Sequence, residues 1–256
     1  MQLFDRFNLG HGFRKYFEIR PAVDDASRDD VYHIRHEVYC EELGFEPVRP
    51  DKREVDEYDG QSLHCLLSTS NEPHQLVGCT RLVLTRPDDP TYPLPFERTC
   101  EATLDRSIID PARLPRDRIA EVSRLAVRAA YRRRRSDKRA AVALNDEDFG
   151  SVVQPRFPYI PIGLYLGAVA LADRSGVDTL FILTEPRLAA HFAKLGVDIQ
   201  QIGGPVEHRG ARVPSMMDVQ SIIKNMRFLV KPIWRVIQEE INSGLAQADE
   251  KTPLRQ

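Results

Sequence analysis

A chain of 256 residues with 42% hydrophobic content can bury a core without disulfides or metals. Its 38 acidic and 36 basic side chains nearly cancel, which argues against a protein whose task is to hold nucleic acid. Cys40, Cys65, Cys79 and Cys100 show neither C-x-x-C spacing nor a nearby histidine pair, so they read as free thiols with no metal site. The first residues lack the apolar stretch of a signal peptide, and no uncharged run approaches the roughly 18 residues that cross a bilayer. A cytoplasmic chain of one domain, residues 1–256, is expected.

Ser27, with Asp30 three residues on, forms a capping-box pattern ahead of Val31, Ile34 and Val38 at helical spacing, and predicts a helix that Gly44 closes. The charged, proline-rich stretch 45–60 reads as a loop too polar to pack. LHCLLSTS and LVGCTRLVLT, joined by NEPH, predict an antiparallel hairpin. Six prolines between Arg86 and Asp117 (87, 90, 93, 95, 111 and 115) mark a long ordered excursion. RIAEVSRLAV predicts a central strand that carries Glu121, Ser123 and Arg124 in its middle, where charges need a reason.

Beyond the arginine run 132–135 lies a segment to residue 158 without periodicity, expected to cover the site or pack on an edge. PIGLYLGAVALADRSG predicts a helix ending at Gly176, and VDTLFILT a strand of the buried type. TEPRLAAHFAKLG predicts a helix over 184–196, and VDIQQIG a short strand. Residues 214–245 read as an amphipathic helix kinked at Pro232, with a polar, unstructured last dozen residues. The alternation gives a mixed α/β sheet flanked by helices.

These elements, with HFAKLGVDI closing the unit, resemble the GNAT acyltransferase superfamily. RHEVYCEELGF at 35–45, EVDEYD at 54–59, GCTRL at 78–82 and EVSRLAV at 121–127 are similar, in order and spacing, to acyl-homoserine-lactone autoinducer synthases and N-acyl amino acid synthases. The chain resembles most the exosortase-associated acyltransferases of bacteria with the PEP-CTERM sorting system. The resemblance spans about 18–202, with a helical extension at about 214–245. It implies a mostly antiparallel sheet whose central strands, 119–127 and 179–184, splay around a thioester-bearing arm. The implied donor is acyl-phosphopantetheine on an acyl carrier protein or coenzyme A, with no permanently bound cofactor.

Acyl transfer to an amine needs a base, a polarised carbonyl and a channel. Glu121 in an apolar strand should have a raised pKa suited to the base. Glu121 and Arg124 can face one site only if a bulge intervenes, and the resemblance implies one, its freed amides at Ser123 to Leu125 polarising the carbonyl. The alternative is a buried Glu–Arg pair that stabilises the sheet.

Arg35, Asp56, Asp59 and Arg81 match an acceptor-site cluster of the autoinducer synthases, suited to an acceptor with ammonium and carboxylate. An ion-pair network pinning a loop is the other reading. Phe45 stands where those synthases usually have tryptophan, which departs from an S-adenosylmethionine acceptor. Leu125, Ala126 and Val127, with Arg132, Arg133 and Arg134, fall at the donor site. The glycines of a pyrophosphate loop are missing there, so the basic run suits an acidic carrier protein or is merely solvated. His64, His191 and His208 lack metal partners and read as structural. The helix bearing Leu229, Trp234 and Ile237 packs in the core or in a dimer, or contacts a membrane. A fatty N-acyltransferase acting on a small amine is the expectation. Its rivals are a coenzyme-A-dependent acetyltransferase and a non-catalytic binding module.

Overall fold

The computed structural model describes residues 9–132, 158–185, 192 and 196–251. Helix α1 (Leu9–Tyr16) leads directly into edge strand β1 (Phe17–Pro21). Helix α2 (Asp25–Arg35) is capped three residues earlier than the Ser27/Asp30 pattern suggests. Asp24 has extended backbone and accepts from Ser27 N at 2.7 Å, while Ser27 Oγ accepts from Asp24 N at 3.2 Å. Aspartate caps as well as serine, and this pairing sits one turn ahead of the apolar stripe. The helix then widens into a π-helical His36–Glu42, and Gly44 turns the chain at φ +63°.

Strands β2 (Ser62–Thr69) and β3 (Leu76–Leu84) form the expected hairpin. The excursion contains a short helix, α3 (Pro95–Thr99), before β4 (Ile119–Val127). Helix α4 (Tyr159–Arg174) and strand β5 (Thr179–Thr184) follow. The sheet is completed by β6 (Gln200–Gln201), β7 (Val206–Glu207) and β8 (Ala211–Asp218), in the order β1-β2-β3-β4-β5-β8-β6 with β7 on β8. Its pairings are antiparallel except β4–β5, so the expected mixed, mostly antiparallel sheet is what forms.

Residues alternate between the two faces, as a strand period of two requires. Cys65, Leu67 and Val122 face the apolar α4 and the C-terminal helix, while Leu66, Cys79 and Ala126 face Val31 and Ile34 of α2 and Val38 of the π-helical turn. A third cluster joins the excursion to the sheet, with Phe96 stacked on Phe181 at 4.4 Å between ring centroids. The four cysteines are free and buried.

The C-terminal region departs from the single kinked helix expected over 214–245. Residues 211–218 form β8, which pairs with β5 along its whole length. Two helices follow, α5 (Val219–Asn225) and α6 (Lys231–Lys251). Pro232 starts α6 instead of kinking it, since a missing N–H costs nothing in the first turn. Ile233, Trp234, Ile237 and Ile241 are buried in the core, and Glu240 accepts from Ile19 N at 3.0 Å. That anchorage carries the helix through polar residues to Lys251, so 245–251 are not the unstructured tail expected. The helix expected over 184–196 and the segment 133–157 lie almost wholly outside the described residues. Among the described residues no helix is long and apolar enough to cross a membrane.

Candidate functional site

The centre of the sheet is irregular on both edges of β4. On the β3 side, Arg81 pairs with Ser123 and Cys79 with Ala126, so one β3 residue opposes two of β4. This is a β-bulge at Arg124 and Leu125, and Arg124 takes a left-handed φ of +48°. Gly78 lets the strands approach here, because a Cβ would meet the Ala126 carbonyl oxygen at 2.4 Å. On the β5 side, parallel pairing runs from Ile119/Thr179 to Val122/Ile182 and then stops. Past that point the strands part.

A cavity of about 360 Å³ opens in the gap, walled by Val122 to Leu125 of β4 and Ile182 to Thr184 of β5. Pro161, Tyr165 and Phe192 make one side apolar. Asp56, Glu57, Tyr58, Arg81 and Arg98 make the other polar.

Glu121 lies at the base of the gap, 4% exposed. Its Oε2 accepts from Phe96 N at 2.7 Å, supplied by α3 of the excursion. Burial raises the carboxyl's pKa to about 8, outweighing that hydrogen bond and the weaker pull of Arg81 and Arg124. Glu121 makes no ion pair with Arg124, which turns to other carboxylates.

Behind the polar wall, three arginines and three carboxylates form a closed network. Fully buried Arg35 bonds Glu54 through Nε at 2.5 Å and Asp59 through both terminal nitrogens at 2.5 and 3.1 Å. Arg81 bonds Asp56 at 2.6 Å, Asp59 at 2.9 Å and Ser123 Oγ at 3.0 Å. Arg124 bonds Glu54 at 3.1 Å and Asp56 at 2.9 Å. Burial opposes ionisation of Glu54, Asp56 and Asp59, but the guanidiniums outweigh it and hold all three below the usual carboxylate range. His64 stands behind Asp59 at 3.7 Å, and burial together with Arg35 pushes its pKa down to about 3. It is a neutral ring outside the cavity.

The roof comes from the β7–β8 connection. His208, Arg209 and Arg212 line the cavity, with Arg209 at φ +55°. Arg209 pairs with Glu46 and lies 5.7 Å from the Tyr39 ring and 5.9 Å from Phe45, which stack on each other. The Tyr39 hydroxyl donates to the Leu125 carbonyl at 3.0 Å, tying the π-helical turn to the bulge.

A parted pair of parallel central strands, with a bulge on the first, is a distinctive geometry. Residues 34–141 match the family model of the acetyltransferase (GNAT) domain. The fold is the GNAT fold. Solved structures carry it at low identity. The acyl-homoserine-lactone synthase LasI superposes with a TM-score of 0.53 at 17% identity, over 82% of this chain and 93% of that one. The coenzyme-A-dependent acyl-homoserine lactone synthase MesI gives 0.53 at 17%, over 86% and 95%. FeeM, an N-acyl amino acid synthase from uncultured soil microbes, gives 0.52 at 14%, over 83% and 96%. No curated protein matches the chain by sequence. The domain match supports an acyltransferase.

Within this GNAT fold, the cavity brings together Glu121, Ser123, Arg124, Leu125, Phe45, Asp56 and Arg81. Arg35 and Asp59 stand behind the wall, spent on the ion-pair network, and do not line the cavity. Ala126 and Val127 are buried in the ladder with β3. Arg132 pairs with Glu42 of the π-helical turn. Arg133, Arg134 and His191 lie outside the described residues. His208, expected to be structural, faces the cavity. The sequence reading missed Glu54, Tyr39, Arg98, Arg209 and Arg212. Glu54 lies within the EVDEYD run, where nothing in the spacing sets it apart from the three other acids.

Proposed function

We propose that the protein moves a fatty acyl group from a phosphopantetheine thioester to the amine of a small acceptor, an amino acid. One observation carries this: the gap where β4 and β5 part has a buried carboxyl of pKa about 8 at its base and an unpaired bulge at its side. The arm enters beyond the last ladder pair, Val122 with Ile182, where Ser123 to Leu125 part from Leu183 and Thr184. The thioester carbonyl then lies against the amides of Arg124 and Leu125, which have no ladder partner on β3 and can stabilise developing negative charge.

The acceptor amine binds on the polar side among Asp56, Arg81, Arg124 and Phe45. The acceptor amine arrives as an ammonium, and Glu121, raised to about 8, is a closer match as its proton acceptor than an ordinary carboxylate. The neutral nitrogen attacks the carbonyl carbon and a C–N bond forms. The tetrahedral intermediate collapses, the C–S bond breaks, and the leaving thiolate takes up the second proton, which the attacking nitrogen gives up. The acyl chain lies along Pro161, Tyr165 and Phe192. Arg35 and Asp59 position Arg81 and Asp56 rather than touching the acceptor.

The carrier is an acyl carrier protein, whose acidic face suits the basic run from Arg132 to Arg135. We place the chain with the exosortase-associated acyltransferases as part of this proposal, on its resemblance in sequence to the wider group of autoinducer and N-acyl amino acid synthases.

The test is to incubate the protein with acyl carrier protein or coenzyme A thioesters of several chain lengths and a mixture of amino acids. Mass spectrometry of the products should give an N-acyl amino acid formed one for one with free thiol. Thioesters that stay intact with every acceptor overturn the proposal, and turnover of acetyl-coenzyme A alone makes the chain an acetyltransferase.

A further inference from the structure

The turn between α5 and α6 holds two bulky apolar side chains in water: Phe228 is 84% and Leu229 58% exposed. Their neighbours Met226 and Val230 are buried in the core, and Val230 N donates to the Arg227 carbonyl at 2.9 Å. The turn is therefore anchored on both sides, and the pair is presented outward by a fixed backbone. Among the described residues the other exposed large apolar side chains, Tyr16, Val48 and Ile108, stand singly in distant segments, where they need no explanation.

Charge around this tip is one-sided. From Val219 to Gln238 the chain carries Lys224, Arg227, Lys231 and Arg235 and no acid, in a protein of net charge −2. All four are exposed, and among the described residues none is paired with a carboxylate. An apolar tip ringed by cations is complementary to a surface with an apolar interior and an anionic skin.

We infer that this turn docks on an anionic lipid bilayer. Phe228 and Leu229 enter the boundary between headgroups and acyl chains, and the four cations lie against anionic headgroups. This differs from the membrane-facing helix considered from sequence, since Trp234 and Ile237 are buried in the core. The inference stands apart from the transfer reaction, because none of these residues lines the cavity.

Sedimentation of the full chain with vesicles tests it. Vesicles of phosphatidylcholine with one-third phosphatidylglycerol should pellet the protein, whereas phosphatidylcholine alone should hold it at least tenfold more weakly. Each cation contributes about fivefold at low salt, so molar salt should release most of the protein. Phe228→Ser with Leu229→Ser, and separately Arg227→Glu with Lys231→Glu, should each weaken binding at least tenfold. Thermal melting and thioester turnover in solution should not change. Failure of the native chain to pellet overturns the inference, as does undiminished binding by both variants. Two further results would also overturn it: a dimer abolished by the serine pair, which assigns the tip to a second copy, and carrier-protein binding lost in the charge variant without any vesicle binding.

Discussion

Replacing Glu121 with Gln keeps the shape of the side chain, and an oxygen for Phe96 N, while removing the proton acceptor. If Glu121 is the base, kcat/KM should fall by about 10²–10⁴-fold. In the native enzyme kcat/KM should climb with pH towards a plateau above about 8, and the variant should lose that dependence on Glu121. Stability should move the opposite way. The folded pKa of about 8 lies above the usual 4.5, so between these values the folded state keeps a proton that the unfolded chain has released. Native stability therefore falls as pH rises through that window. The full difference corresponds to roughly 5 kcal/mol as an upper bound. Gln carries no such penalty. Melting curves should nearly coincide at pH 5, with the variant melting higher by several degrees at pH 9. A melting difference that stays flat from pH 5 to 9, or a variant within threefold of native turnover, refutes the reasoning.

Three other substitutions probe the surroundings. Glu54→Gln strips charge from a carboxylate shared by Arg35 and Arg124, leaving a guanidinium buried without full compensation. Urea unfolding should show a loss of about 3–5 kcal/mol, and a loss below 1 kcal/mol would mean the network is not holding the loop. Phe45→Ala should raise the acceptor KM about tenfold while leaving donor KM within twofold, if Phe45, which lines the cavity beside Tyr39 and Arg209, holds the acceptor as proposed. Equal effects on both would remove it from acceptor binding. Leu183→Trp fills the gap between the strands and should reduce kcat/KM for long-chain donors at least 100-fold without moving the melting temperature by more than a few degrees. Unchanged turnover of those donors would place the arm elsewhere.

Glu121 was legible in the sequence because a carboxylate in a continuous apolar strand is costly unless the site uses it, whereas the bulge that lets Glu121 and Arg124 face one site came from the family resemblance. The hairpin, the central strands and α4 were legible because their patterns are regular. Glu54 was not, because its partners lie 19 and 70 residues away and its loop is polar by composition. The same polarity made 45–60 look unable to pack, yet Glu54 and Asp59 are buried once Arg35, Arg81 and Arg124 surround them. Arg209 and Arg212 gave no signal either. Arg209 sits in the turn after the two-residue β7 and Arg212 at the start of β8, and they reach the cavity only because β8 returns beside β5. The capping box slipped by three residues because Asp24 and Ser27 satisfy the same geometry as the pair chosen.

The most direct measurement is a crystal structure of the protein with a non-hydrolysable acyl-pantetheine. The arm should run through the gap beyond the Val122/Ile182 pair, between Ser123 to Leu125 and Leu183 to Thr184, with the carbonyl oxygen within hydrogen-bond reach of the Arg124 or Leu125 amide and Glu121 facing the acceptor pocket. An arm bound outside that gap, or β4 and β5 paired through to Thr184 around an empty core, would contradict the account.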